Sequence, residues 1–315
     1  MLPIAMFSMR LHFPPLLHDS PPVPFTFPPP FHLNGSGINW DFPRNGFTSA
    51  VLFGRSPMVS LSSKALGGLM LVLALTSAAS PSKPTKVQDC PECPEMTLIP
   101  AGSFVLSGGG RVTFSKPFMM STTLITQGQW RALMRRNPSA FPLCGDNCPV
   151  DRVSWEDAQV YILRLNAKTG RHYRLPSESE WGYACRAGLA SPYCGGDTLD
   201  PIAWYGENSA NHPHPVATKA PNAWGLYDMS GNLWEWTEDC YQSTRRINQD
   251  DQRSVPDNGA AWEGDAAEQD GECLSRVVRG GSWNNDTHDL ALSRRTADDP
   301  TVRVNTIGFR VVRDQ

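Results

Sequence analysis

Gly225-Leu-Tyr-Asp-Met-Ser-Gly-Asn-Leu-Trp-Glu-Trp236 is the stretch whose reading decides the fold. It sets a Gly-Asn turn at Gly231-Asn232 among apolar residues, places carboxylates at Asp228 and Glu235, and ends on two tryptophans. Turn formers alternating with large rings describe irregular chain pinned by anchors, not a helix. The rest of the 315 residues has the same character, with ten Trp, 26 Gly and 28 Pro. Trp224, Trp234, Trp236 and Trp283 read as core anchors before they read as a ligand platform.

Upstream of that stretch the signals are more regular. Residues 96–104 read as a strand and turn, and Val112-Thr-Phe114 and Phe118-Met-Met120 as short strands. Three helices follow. Residues 127–136 carry Trp130, Leu133 and Met134 on one side. Ser154 caps the second, with Asp157 three residues on, apolar Trp155, Ala158, Ile162 and Leu165 at helical spacing, and Gly170 as the stop. Ser177 caps the third with Glu180 as its partner, and Gly188 follows its end. Downstream, Val277-Val278 and Gly308-Phe-Arg-Val-Val312 are the clearest strands. The class is α+β with much irregular structure.

The N-terminal third does not read as this fold. Residues 1–57 form an extension crowded with Pro and Phe at 12–32, a composition that sustains neither helix nor central strand. Residues 58–80 have the parts of a secretory signal: one Lys, an apolar run from Ala65 to Leu75, then small residues to Ser80. That run is short of the ~20 apolar residues a bilayer span needs. A signal opening at Met58 makes it the expected start, with residues 1–57 a mis-assigned extension; the alternative is a real Pro-rich extension that leaves the apolar stretch as an internal signal. Cleavage near Ser80 would send the chain to the periplasm or outside the cell, with 81–95 as linker and 96–315 as the folded domain.

The cysteines fit export. All eight follow the signal, and an even number in an exported chain favours disulfides. Cys144 with Cys148 suits a local bridge, Cys240 with Cys273 would tie the base of the polar insertion at 242–271, and Cys185 with Cys194 is a third pair. Cys90-Pro-Glu-Cys93 has C-x-x-C spacing but lacks a second ligand pair at zinc-finger spacing and a βαβ context, which disfavours zinc or redox roles. The net charge is -3 with no Lys/Arg cluster, which sets aside nucleic acid and anionic membrane surfaces.

A series of motifs then gives a specific resemblance. In order they are Ile99-Pro-Ala-Gly-Ser-Phe104, Thr126-Gln-Gly-Gln-Trp130, Pro149-Val-Asp-Arg-Val-Ser-Trp-Glu-Asp-Ala158 and Arg174-Leu-Pro-Ser-Glu-Ser-Glu-Trp181. Asn222 to Trp236, Arg279-Gly-Gly-Ser-Trp283 and Ile307-Gly-Phe-Arg310 complete it. The series resembles the sulfatase-modifying-factor family, the formylglycine-generating-enzyme type. The resemblance implies a C-type-lectin-like fold with bound calcium. It places one calcium on the Asp228 side chain, the Gly231 and Leu233 carbonyls and the Glu235 carboxylate, a set of oxygens that suits a hard cation. The alternative is that the two carboxylates cap turns or pair with cations. Asn208 matches one ligand of a second calcium site.

The family's oxidases use two cysteines that hold copper(I), a soft ion suited to thiolates. Here the matching positions are Asn285 and Leu290, neither of which binds copper(I). Ser282, Trp234 and Trp283 remain to shape a pocket. Asp286-Thr-His-Asp289, with His212 and His214, offers another ligand set, since some relatives are non-haem iron enzymes using two His and a carboxylate. The competing reading is an irregular loop stabilising itself through local Asn, Asp and Thr bonds. Arg294, Arg295 and Arg310 could meet a carboxylate in a cleft, although Arg310 reads better as a buried partner of an acidic group. The expected protein is thus an exported binding or auxiliary domain for a peptide, protein or small ligand. The alternative is an oxygen-dependent oxidoreductase of the same family.

Overall fold

The computed structural model describes residues 84–106, 109–242, 255–263 and 273–315. The extension, the signal segment and most of the polar insertion lie outside the described residues. Among the described residues no helix is long and apolar enough to cross a membrane.

Two sheets frame the domain. The first contains β1 (Lys86–Gln88), β2 (Glu95–Ile99), β5 (Phe118–Ser121), β6 (Tyr173–Arg174) and β11 (Val312–Asp314), in the antiparallel order β1-β2-β5-β11-β6. The second contains β7 (Trp234–Cys240), β8 (Arg276–Arg279), β9 (Arg295–Asp298) and β10 (Ile307–Phe309), in the order β10-β7-β8-β9 with β10 and β7 parallel. β3 (Gly102–Val105) and β4 (Arg111–Phe114) make a separate hairpin. The sheet begins earlier than expected: β1 lies in the stretch read as linker, and a Cys90–Cys93 disulfide closes its turn into β2. The run read as one strand at 308–312 is broken at Arg310, where the chain leaves one sheet for the other.

The helices follow their caps. α2 (Trp155–Thr169) starts on the Ser154–Asp157 capping box and stops at Gly170 in the left-handed region. It buries Ala158, Tyr161, Ile162 and Leu165, one face at helical spacing. α3 (Glu178–Arg186) uses the Ser177–Glu180 box. α1 (Gln127–Met134) has a Thr126–Gln129 box and ends two residues before 136, because Arg135 turns to φ 64. The main core joins Trp130, stacked on Tyr161 at 5.5 Å, with Phe309, Trp234 and Trp236. A second core gathers Phe114, Phe118, Trp181 and Tyr183.

All eight cysteines are paired: Cys90–Cys93, Cys144–Cys148, Cys185–Cys194 and Cys240–Cys273. The three pairs read from spacing are those the fold makes. Each joins chain already brought together, since Cys240 ends β7 and Cys273 precedes β8 beside it.

Candidate functional site

The turn after β8 carries Gly280-Gly-Ser-Trp283 and leads into the loop 282–290. The Trp283 amide donates to the Asn232 carbonyl at 2.9 Å, its indole donates to the Asn305 carbonyl at 3.1 Å, and its own carbonyl accepts from Ser209 Oγ at 2.6 Å. Three segments distant in sequence thus meet at one tryptophan. Beside Asn232, Gly231 lets the Trp204 backbone come close: its φ is 82° and a Cβ there would lie 2.3 Å from the Trp204 carbonyl oxygen. Trp234 packs into the main core, and Trp283 packs with Leu124 and Leu233.

The loop's polar groups largely bond one another. Asn285 Oδ1 accepts from the Ser282 amide at 3.0 Å and lies 2.6 Å from Ser282 Oγ. Asn285 Nδ2 donates to Asp289 Oδ2 at 2.7 Å, and Arg294 Nε donates to Asp289 Oδ1 at 3.0 Å. The Asn285 carbonyl accepts from the Gly206 amide at 2.8 Å. Leu290 is fully buried with Leu199, Ile202, Ala203 and Tyr205. A polar brace at 285 and an apolar plug at 290 therefore stand at neighbouring points of the loop. Copper(I) does not fit them, and every cysteine is tied in a disulfide.

Asp286, His288 and Asp289 bring ligand-type atoms within 4.8 Å of one another, the one such group of three among the described residues. Asp289 in that group is already engaged by Asn285 and Arg294. The other two histidines serve a different purpose. His214 stacks on Trp204 at 3.7 Å, with its Nε2 2.7 Å from the Ser209 carbonyl, and burial pushes its imidazole below the usual value. His212 Nδ1 lies 2.9 Å from the Pro213 carbonyl.

The expected calcium ligands are close in chain but unequal in chemistry. Glu235 is fully buried; Arg310 donates to both its oxygens, and the Trp181 indole donates to Oε2 at 2.8 Å. Asp228 accepts from the Ala217 amide at 2.9 Å and, weakly, from Asn232 Nδ2 at 3.4 Å. Burial pushes its carboxyl up to about 6. A buried carboxylate with only amide partners fits a cation; a carboxylate already facing a guanidinium fits one less well. Asn208 uses both ends of its amide in its own turn, on the Tyr205 amide and the Ala203 carbonyl.

Residues 82–315 match the sulfatase-modifying factor enzyme 1-like domain. The chain belongs to this family. Similar family proteins include the chaperone protein LppX of Paenibacillus barcinonensis, 27% identical over 303 residues, covering 78% of this chain and 99% of its own. A formylglycine-generating enzyme of Streptomyces coelicolor is 34% identical over 188 residues, covering 53% of each chain. The inactive C-alpha-formylglycine-generating enzyme 2 of Bos taurus is 32% identical over 180 residues, covering 51% of this chain and 49% of its own. This chain spans about half the length of such formylglycine-generating enzymes. Among solved structures, PvdO from Pseudomonas aeruginosa is 30% identical with a TM-score of 0.62, and Treponema denticola variable protein 1 is 26% identical with a TM-score of 0.61. Each covers 74% of this chain and 99% of its own. The fold is the α+β, C-type-lectin-like fold of formylglycine-generating-enzyme relatives.

Sequence reading missed Asp289 as the second arm of the Asn285 brace, because in a non-helical loop the spacing of the two announces no contact. It also missed the Trp204–His214 stack, which no local spacing announces.

Proposed function

We propose that this protein is an exported binding or auxiliary member of the family that does not carry out copper-thiolate oxidation. The observation that supports this reading is a hydrogen-bonded Asn285 and a fully buried Leu290 at the two positions that the family resemblance gives to the thiolate pair. Rebuilding a soft-metal site there would require removing both the brace and the plug. Four disulfides and the signal-like segment at 58–80 support an oxidising compartment. A family relative named inactive shows that this domain also occurs in proteins described that way. The fold itself assigns no activity.

The test is incubation with copper, oxygen and a Cys-x-Pro-x-Arg peptide, read by peptide mass. No formylglycine is the expected result; turnover would overturn the proposal. A second reading, an iron oxidoreductase acting on a peptide or exported small molecule, draws on Asp286, His288 and Asp289. Stoichiometric iron in protein purified without chelator would favour it, and its absence leaves the binding reading. Calcium belongs to the proposal as a structural ion, with Asp228 as its main carboxylate and the Gly231 and Leu233 carbonyls beside it.

A further inference from the structure

Phe141, Pro142 and Leu143 on one side, and Asn211, His212 and Pro213 on the other, line an open cavity of about 540 Å³. That volume falls in the range of small-ligand sites, and the lining is mostly apolar. The first wall is held from behind. Gln127 Nε2 donates to the Phe141 carbonyl at 3.2 Å and Gln127 Oε1 accepts from Asn137 at 2.8 Å, while Asp151 Oδ1 accepts from the Ala140 amide at 2.8 Å. The Cys144–Cys148 disulfide closes the same loop. Phe141 meets Trp283 edge to face at 5.6 Å, so the cavity adjoins the loop 282–290.

The second wall ends a column of rings. Trp204 stacks on His214 at 3.7 Å, and His212 follows His214 at 4.5 Å. His212 lines the cavity, so a flat ring bound there meets the end of the column at the imidazole edge. Among the described residues, no carboxylate, Lys or Arg is in the lining, which favours a neutral guest. The Pro213 carbonyl can only accept, so His212 Nδ1 donates to it, and the matching neutral tautomer offers Nε2 as an acceptor. The matching guest is a ring with a hydrogen-bond donor. Building on the binding role proposed above, we propose that this cavity seats a neutral phenol ring, as carried by a tyrosine side chain or a free phenolic compound.

The test is titration of the full, disulfide-bonded protein with 4-methylphenol and with the N-acetyl amides of tyrosine, phenylalanine and leucine, followed by NMR. Tyrosinamide should bind at least about 5-fold tighter than phenylalaninamide, the value of one ordinary hydrogen bond, and leucinamide weakest. 4-Methylphenol matching tyrosinamide would place the recognition in the ring alone; tighter tyrosinamide would add the peptide groups. His212→Phe should remove the tyrosine preference, and Ala140→Trp should block both aromatic amides. Leu143→Asp, at a fully exposed position that the fold does not depend on, should weaken both. Leucinamide binding as tightly as tyrosinamide, or no saturable binding, overturns the proposal. Binding that ignores Ala140→Trp and Leu143→Asp removes this site while leaving the binding role; formylglycine turnover removes the binding role itself.

Discussion

Arg310 and Glu235 form a two-point ion pair in which neither side chain reaches solvent, with Nε 2.6 Å from Oε2 and Nη2 2.8 Å from Oε1. Arg310 stands between β10 and β11, where the chain passes from one sheet to the other. Its remaining donors reach the Ser121 carbonyl in β5 and the Tyr227 carbonyl before the Gly-Asn turn. One guanidinium thus joins both sheets to the turn that defines the family.

Removing one member strands a buried charge. Arg310→Met should cost about 3–5 kcal/mol in denaturant unfolding, the usual cost of breaking a buried pair. Arg310→Met with Glu235→Met should recover part of that, because no charge is left behind. Recovery stays incomplete, since Ser121 and Tyr227 also lose a donor. A single variant as stable as wild type would show that the pair contributes nothing.

Calcium is best tested at Asp228. Glu235→Ala is a poor probe because it breaks the Arg310 pair with or without a metal. Asp228→Asn is nearly isosteric, and Asn tolerates the φ of 57° found there. EDTA should lower the wild-type Tm, added calcium should restore it, and Asp228→Asn should respond to neither. A wild-type melt indifferent to EDTA would remove calcium from the site.

What the sequence revealed depended on whether a signal was local. α2 and α3 were legible because a Ser and an acidic residue three positions on mark a helix start. The Cys144–Cys148, Cys185–Cys194 and Cys240–Cys273 pairs were legible because each spans a short loop or brackets an insertion. β7 was not, because nearly every residue from Trp234 to Cys240 is buried and no alternation survives to be read. β9 was not, because Arg295–Asp298 is a polar edge strand. At the site, Asn285 and Leu290 were singled out only through the family resemblance. The Asn285–Asp289–Arg294 chain required the path of the loop, and Arg310–Glu235 joins residues 75 apart.

Asp151 gives a pH dependence of defined sign. It is fully buried, its Oδ1 accepts from the Ala140 amide, and burial raises its carboxyl from 3.8 to about 6. A carboxyl raised on folding means that the native state holds the proton more tightly. Its contribution is therefore full below about pH 4 and lost as pH rises through 6. In an Asp228→Asn, Glu238→Gln background, which silences the other carboxyls raised by burial, stability should fall by up to about 3 kcal/mol across that window. Asp151→Asn should flatten the curve. A curve that rises through the window, or one unchanged by Asp151→Asn, would contradict the assignment.

The loop 282–290 should behave as structure. Asn285→Ala leaves the buried Ser282 amide without its acceptor, which should cost about 1–3 kcal/mol. It also frees one oxygen of Asp289, so the loop 282–290 should become more sensitive to protease. Leu290→Ala opens a cavity among Leu199, Ile202 and Tyr205 and should cost about 2–5 kcal/mol. Asn285→Cys with Leu290→Cys should lose stability for the same two reasons, because a thiol neither accepts the Ser282 bonds well nor fills the leucine's volume. If those thiols instead bound copper(I) with no loss of stability, the loop would have kept the family's metal geometry despite its sequence. Brace and plug would then be secondary, and the absence of thiolates alone would carry the case against copper chemistry.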